Sequence, residues 1–545
     1  MSTHTWEART PERSALQNWL PGLLMMVGTG ARLWVAGRTF LNPDEALHYF
    51  VAAQPTFLQT YTVSLSTAHP PLMFFLLHGW IVFGSSEFFL RLPFVLVGVL
   101  FGWMMFLWVR RVAGQQTALF ALALTLLSPT LIAISAEVRQ YSLLLLFCAT
   151  CLYALERGLQ ENSGAWVALS AFGLWLALLT HYSALIFAAA TGVYGLFRLY
   201  GNKATTMRIK AFWIAGHLTA LGICGVLFIT QIAKLRQSGV PTEIAATWLR
   251  QSIFHPGTDH LLTFAISKTA RLFRYFFSHG TIGVLMLTLF LGSLAALFSG
   301  KTRIQFPRSV AILLGLPFAI TLATAVAGFY PYGGTRHDLV LALFAVPGIA
   351  IGVDFLKGGM LWSKLALLLL LLIVCNLFPA PTPPVIRPQN QRPQLMKEAI
   401  AFLNSRPDGS VILSDYQGGL VLGYYLCGKE ARLPFGPTPA AVVPANCDHQ
   451  RLFTLVGSQS SLAPEELPEA MQTAWSSVPE NVPGLWLFQT GWIDDRPDVW
   501  GSELVRIGCG EIHNFGANIR VSRCQKQPAE SVTEIGKWPG FPFLQ

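Results

Sequence analysis

The chain has 545 residues, of which 53% are hydrophobic and only 12% charged, and its 38 Lys and Arg against 28 Asp and Glu leave a net charge of +10. A soluble protein of this length needs more charge than that, so several membrane spans are the first expectation. The basic excess falls mostly between apolar runs and is not gathered on one polar stretch, which argues against a nucleic-acid partner and for membrane topology.

A bilayer core takes about 20 apolar residues per helix, within roughly 17–25. In chain order, spans are expected at 16–36, 90–109, 115–135, 140–156, 164–181, 182–199, 211–231, 280–299, 309–329, 337–356 and 360–379, about eleven in all. The first 15 residues are polar and no small-residue cleavage site follows the first run, so that run reads as a retained span. Between His69-Pro70-Pro71 and Gly84 the apolar stretch is only about 14 residues, with His78 inside, which favours an interfacial helix at 70–84 over a crossing. With that choice and a cytoplasmic N-terminus, Arg110-Arg111, Arg157, Arg198, Lys203, Arg208, Lys210, Lys301, Arg303, Arg308, Lys357 and Lys364 all fall inside. The same parity puts Asp44-Glu45, Glu137, Arg139, His181-Tyr182, the Tyr330 to Asp338 stretch, the loop 232–278 and the whole tail outside.

Residues 1–379 thus form a helical membrane domain, 380–393 a stiff proline-rich linker and 394–545 a small α/β domain. In the tail, Gln394 to Asn404 reads as an amphipathic helix and Val411 to Asp415 as a buried strand. Val421 to Leu426 reads as a short helix, and Arg451 to Val456 and Leu485 to Phe488 as further strands. Cys148, Cys151, Cys224 and Cys375 sit in apolar runs and read as packing thiols. Cys427, Cys447, Cys509 and Cys524 lie in the tail and suit two disulfides, whose pairing spacing does not give. Asp494-Asp495-Arg496-Pro497-Asp498 could bind a divalent cation, but without further spaced acidic ligands it reads as a solvated turn.

The polar residues at span ends carry the functional signal. Asn42-Pro43-Asp44-Glu45 follows the first span directly, and a carboxylate this close to lipid is either used or structural. Asp44 could cap a helix starting at Glu45. Alternatively the two side chains, about 100° apart on a helix, divide proton acceptance and orientation between them. Arg139, beside Glu137 at the edge of a span, offers a planar fork suited to phosphate, or a structural pair. Arg336-His337 ends a Gly-rich loop, and Arg91, His69 and His181 are each open to ligand-facing or anchoring roles. No Walker or dinucleotide glycine motif provides a nucleotide cradle.

Asn42-Pro-Asp-Glu45, His69-Pro-Pro-Leu72, Arg91-Leu-Pro93, Glu137-x-Arg139-x-Tyr141, His181-Tyr182, the late Arg336 and the tail stretch Ser414-Asp415-Tyr416 to Tyr424-Tyr425-Leu426 form an ordered set. It resembles the GT-C membrane glycosyltransferases of the protein O-mannosyltransferase and lipid A aminoarabinose transferase group, especially their broad bacterial branch. The likeness covers most of the membrane part. It implies a sugar carried on a polyprenyl phosphate and transferred, with inversion, to a lipid, glycan or protein acceptor at the outer face of the plasma membrane. Asp44 would be the general base with Glu45 beside it, and 70–84 the juxtamembrane helix at the donor site. His69, Arg91, Glu137, Arg139, His181, Tyr182, Arg336 and His337 would line the site, with arginines as phosphate ligands; at His337 relatives commonly have tyrosine. No cofactor is expected, and a divalent metal is possible but not indicated. A lipid-linked sugar transporter or flippase would bind the same headgroup without forming a glycosidic bond, but would place its charges near the midplane. An envelope scaffold would tolerate neutralisation of Asp44 and Arg139.

Overall fold

The computed structural model describes residues 15–201, 205–237, 249–300, 302–356 and 358–379 of the membrane portion. Beyond it, 393–407, 409–428, 442–447, 449–455, 467–478, 482, 484–490, 501–516 and 519–526 are described. The first part is a helical bundle: α1 (Ala15–Ala36), α2 (Pro43–Ala52), α3 (Phe57–Ser64), α4 (Leu72–Trp80), α5 (Glu87–Ala113), α6 (Gln115–Leu127), α7 (Pro129–Ser135), α8 (Tyr141–Glu161), α9 (Gly164–Leu178) and α10 (Ala184–Gly201). It continues with α11 (Met207–Leu227), which runs through a π-turn (Phe228–Ile232) into α12 (Ala233–Gln237), then α13 (Leu261–Phe277), α14 (Gly280–Ser299) and α15 (Pro307–Val326). A 3₁₀ turn (Arg336–Leu341) then enters α16 (Ala342–Phe355), and α17 (Leu361–Leu377) follows.

Seven of the described helices are long and apolar enough to cross a membrane, or eight if α6 and α7, bent by 58° at Ser128, make one span. Each of the eleven expected spans has a helix, but α9 and α17 are shorter, at 15 and 17 residues, and α1 is diluted by Asn18, Pro21 and Arg32. Leu218, Leu221 and Ile229 on the α11 to α12 helix are 61–73% exposed, as lipid-facing side chains are. At the bend between α6 and α7, carbonyls lose their helical amide partners. The wholly buried Arg32 donates to Leu126 O (2.7 Å), Thr125 O (3.2 Å) and Gly28 O (3.0 Å), while Ser128 Oγ donates to Phe276 O (2.6 Å). An arginine inside a span is costly unless it is used this way; here it fixes α7 and so the loop that leads to Glu137.

The tail is an α/β unit: α18 (Pro393–Asn404), β1 (Ser410–Ser414), α19 (Tyr416–Leu426), β2 (Val442–Asn446), β3 (Gln450–Leu455), α20 (Leu467–Ser477), β4 (Gly484–Gln489), α21 (Gly501–Arg506), β5 (Cys509–Gly516) and β6 (Ile519–Gln525). The sheet runs β2-β3-β1-β4-β6-β5, parallel at β3-β1-β4 and antiparallel elsewhere. Alternation on β1 sends Val411 and Leu413 to one face, with Met471, Ala474 and Leu504. Ile412 faces the other, in an apolar cluster that continues through Val421 and Leu422 to Tyr49 and Phe50 of α2 and Phe74 of α4. Gly419 allows this close seating, because a Cβ there would lie 2.3 Å from Thr454 Oγ1. The hydroxyl of Tyr425 accepts from Leu41 N (2.9 Å) and donates to Glu87, and that of Tyr424 donates to Ser85 O (2.7 Å). The tail therefore sits on the same end of the bundle as the first loop.

Several expectations change in detail. The 70–84 segment is helical only over nine residues, Leu72–Trp80, and is preceded by α3, capped by Thr56, which the sequence pattern does not announce. The loop expected at 232–278 contains α12 and the amphipathic α13, which buries Phe264, Leu272, Phe273 and Phe276. The tail helix expected from Val421 starts at Tyr416 because Asp415 Oδ1 caps it, accepting from Gly418 N at 2.6 Å. Cys427 pairs with Cys447 and Cys509 with Cys524, while Cys148, Cys151, Cys224 and Cys375 are free. Residues 380–392 of the linker and Asp494 to Asp498 lie outside the described residues.

Candidate active site

The site begins with a helix start. Asn42 is the N-cap of α2: its side chain accepts from Glu45 N (3.0 Å) while Glu45 Oε2 accepts from Asn42 N (3.0 Å), a reciprocal capping box with Pro43 in the first turn. Asp44 is thus not the cap, and its carboxylate is left to point elsewhere. Glu45 has no exposed surface, and its carboxylate meets Arg91 in two parallel bonds of 2.6 and 2.7 Å and accepts from Val138 N at 2.9 Å. Arg91 spends its other donors on Ala36 O, Thr39 O and Phe40 O, at 2.8–2.9 Å. This pair ties the end of α1, the start of α2, α5 and the 136–140 loop together. Glu45 and Arg91, expected in the site, are a closed strut behind it, with no donor or acceptor left for a ligand.

Asp44 faces the other way. Its Oδ2 takes Arg139 Nη2 and, at 2.6 Å, Arg336 Nη1, and its side chain keeps 26% exposure. Burial would raise this carboxyl, but the guanidiniums of Arg139 and Arg336 outweigh it and hold it well below the usual carboxylate range. Glu137 lies beside them, its Oε2 3.7 Å from Arg139 Nε; burial pushes its carboxyl up to about 8, against the pull of Arg139. Arg336 is presented by a second capping box, in which Asp338 Oδ2 accepts from Thr335 N (2.9 Å), Thr335 Oγ1 (3.0 Å) and Gly334 N (3.0 Å). Gly334 is required there: its φ is +86°, and a Cβ would lie 2.8 Å from Arg271 O.

A row of four imidazoles runs past this cluster. Ring centroids are 5.6 Å apart for His48 and His69, 5.8 Å for His69 and His181, and 6.5 Å for His181 and His337. His48 stands one turn after Asp44 on α2, and its Nδ1 donates to Val138 O at 2.7 Å. Ser183 N donates to His181 Nδ1 at 3.1 Å, and Gln140 Nε2 lies 3.0 Å from His69 Nδ1. Burial, with the charge of Arg139 added, lowers His48 and His181 to about 3 and His69 well below its ordinary value, so all three are neutral at physiological pH. Tyr182 turns away, its hydroxyl donating to Gln231 Oε1 at 2.6 Å. His48 Nε2, Arg139 Nε, Gln140 Oε1 and Tyr141 OH are buried without a hydrogen bond among the described residues, and such atoms in a native fold mark places for water or ligand. Among the described residues no group of three or more His, Cys, Asp or Glu is arranged to hold a metal ion.

Sequence reasoning missed His48, Asp338 and Gln231. His48 could have been found as i+4 from Asp44 on one helix face, and Asp338 as the fourth residue of a Thr-x-x-Asp capping box.

Residues 68–229 match the family model for dolichyl-phosphate-mannose-protein mannosyltransferase. Among solved structures, ArnT from Cupriavidus metallidurans bound to undecaprenyl phosphate is 13% identical and covers 94% of this chain and 100% of its own, with a TM-score of 0.56. The chain has the GT-C fold. The apo state of the same ArnT superposes on this GT-C chain with a TM-score of 0.55 at 11% identity, over the same shares of both chains. The archaeal oligosaccharyltransferase AglB from Archaeoglobus fulgidus matches 87% of the GT-C chain and 70% of its own at 12% identity, with a TM-score of 0.47. No curated protein sequence matches.

Proposed function

We propose that this GT-C protein transfers a sugar from a polyprenyl-phosphate carrier to an acceptor hydroxyl at the extracytoplasmic face of the membrane, with Asp44 as general base. The observation that carries the reading is Asp44 held between Arg139 and Arg336 at the loop end of the bundle. The distribution of Lys and Arg supports an outward-facing reading of that end, as do the two tail disulfides, which suit an oxidising compartment. A carboxylate so stabilised is a poor base. An incoming lipid phosphate competes for the same guanidiniums, which bind phosphate as they bind carboxylate. As they turn to it, Asp44 loses the charges that keep it acidic and becomes able to take a proton. The acceptor oxygen then forms its bond to the anomeric carbon while the bond from that carbon to the phosphate oxygen breaks. The electron pair leaves with the polyprenyl phosphate, whose growing charge the arginines meet, and the hydroxyl proton passes to Asp44. Attack opposite the departing phosphate inverts the centre.

The test is a deletion strain analysed by mass spectrometry of its envelope lipids and glycoproteins. One sugar modification should disappear while a polyprenyl-phosphate sugar accumulates. An unchanged glycan profile together with loss of lipid-linked sugar from the outer leaflet would instead indicate transport.

A further inference from the structure

The helix formed by α11 and α12 is the least enclosed of the spans, with 17% of its apolar window buried. Among the polar side chains near its outer-loop end, Thr230, Gln231, Lys234, Arg236 and Gln237, it is Gln231 that is buried, at 1% exposure. Gln231 belongs to the π-turn Phe228–Ile232. Gln231 lies at i+4 from the buried Leu227, in line with the buried Trp213, Gly216 and Ala220 of α11, and so continues the inward stripe of the helix onto the chain between α3 and α4. Its Nε2 lies 2.8 Å from His69 O, 2.8 Å from Thr67 O and 3.1 Å from Ser64 O, and its Oε1 accepts from Tyr182 OH at 2.6 Å. The amide is saturated, and three loop carbonyls converge on it. Downstream of His69 the chain is already stiff, because Pro70 and Pro71 fix their φ angles and Leu72 N donates to Leu179 O at 3.1 Å. The remaining freedom of the His69 backbone is upstream, where Gln231 grips it.

We propose that Gln231 is a positioning residue: from the buried stripe of its helix it fixes the Ser64–His69 segment and so sets His69 between His48 and His181, in the row of imidazoles that passes Asp44. π-Bulges recur at functional sites, and this one includes Gln231. Gln231 does not touch Arg139 or Arg336, which are anchored by Asp44. Its loss should therefore disturb the imidazole row and leave phosphate binding intact.

The experiment compares wild type, Gln231→Leu, Gln231→Glu and Tyr182→Phe, purified full-length in nanodiscs. Hydrogen exchange of peptides covering 61–72 is expected to speed up at least tenfold in Gln231→Leu and two- to threefold in Tyr182→Phe, with 207–225 unchanged. Gln231→Glu, nearly isosteric but poorer in donors, should resemble the leucine variant. Affinity for undecaprenyl phosphate should stay within twofold of wild type. In the transfer reaction, on which the catalytic part of the proposal rests, kcat should fall about tenfold with donor KM little changed. Unchanged exchange at 61–72 in Gln231→Leu, a Gln231→Glu variant indistinguishable from wild type, or faster exchange with unaltered kcat would each overturn the proposal. Absence of transfer by wild type itself would overturn the glycosyltransferase reading, while the exchange and lipid-binding measurements would still judge Gln231.

Discussion

Removing Glu45 or Arg91 should expose how the site is braced. With Glu45→Leu, the Arg91 guanidinium stays buried on three carbonyls and loses its paired carboxylate, which for a broken buried pair costs about 3–5 kcal/mol. The capping box goes with it, adding about 1 kcal/mol. With Arg91→Leu, Glu45 keeps only the Asn42 and Val138 amides, the same charge penalty of about 3–5 kcal/mol applies, and each stranded carbonyl adds about 1–3 kcal/mol. In the double variant neither charge remains, so the charge penalty present in both singles vanishes and only the cap and the carbonyls are lost. The double-mutant cycle should therefore give a coupling of about 3 kcal/mol or more. Unfolding in mixed micelles of mild detergent and dodecyl sulfate, followed by tryptophan fluorescence, measures it. A coupling below about 0.5 kcal/mol, the size found for exposed pairs, would refute the strut and return Glu45 to the candidates for chemistry.

Arg139→Lys or Arg336→Lys keeps the charge but loses the planar fork, and should weaken undecaprenyl phosphate binding roughly tenfold, or about 1.4 kcal/mol, as read by native mass spectrometry in micelles. Glu137 holds its proton below about pH 8 and loses it above. Donor KM should therefore rise as pH passes that point, when a new negative charge meets the lipid phosphate, and a KM profile for Glu137→Gln should lack the rise. Peptide mapping without reductant should recover Cys427 with Cys447 and Cys509 with Cys524 and leave the other four cysteines alkylatable after unfolding. Closing loops of this length stabilises a domain by about 3 kcal/mol, so reductant should lower the melting temperature of the tail.

Polarity next to lipid is conspicuous, and it made part of the site legible in the sequence. Asp44, Glu137, Arg139, His181 and Arg336 stand at the ends of apolar runs, where a charge or imidazole needs a reason, and these residues do come together. Adjacency on a helix turns Asp44 and Glu45 about 100° apart but does not say which of them meets a ligand; the Asn42-x-x-Glu45 capping box, which separates their roles, is the signal that distinguishes them. Arg91 reads as a ligand because its five donors match phosphate, but the same donors match three carbonyls and a carboxylate. The helix α3 escapes sequence reasoning because Phe57 to Ser64 has neither the length of a span nor a firm period. Gln231 continues the buried stripe of Trp213, Gly216, Ala220 and Leu227, so its inward direction follows from helical period, but what it holds does not, because the carbonyls of Ser64, Thr67 and His69 come from a distant part of the chain. Disulfide pairing depends on which strands become neighbours, and β5 and β6 are joined as a hairpin only by the sheet.

The central claim is that Asp44 accepts the proton of the acceptor hydroxyl once donor phosphate draws Arg139 and Arg336 away. Complementation of the deletion strain with Asp44→Ala at wild-type membrane levels, scored by mass spectrometry for the missing sugar, tests it most directly. The account predicts no restoration of the modification, with the variant still inserted and still binding undecaprenyl phosphate. Restoration to near wild-type amounts would contradict it.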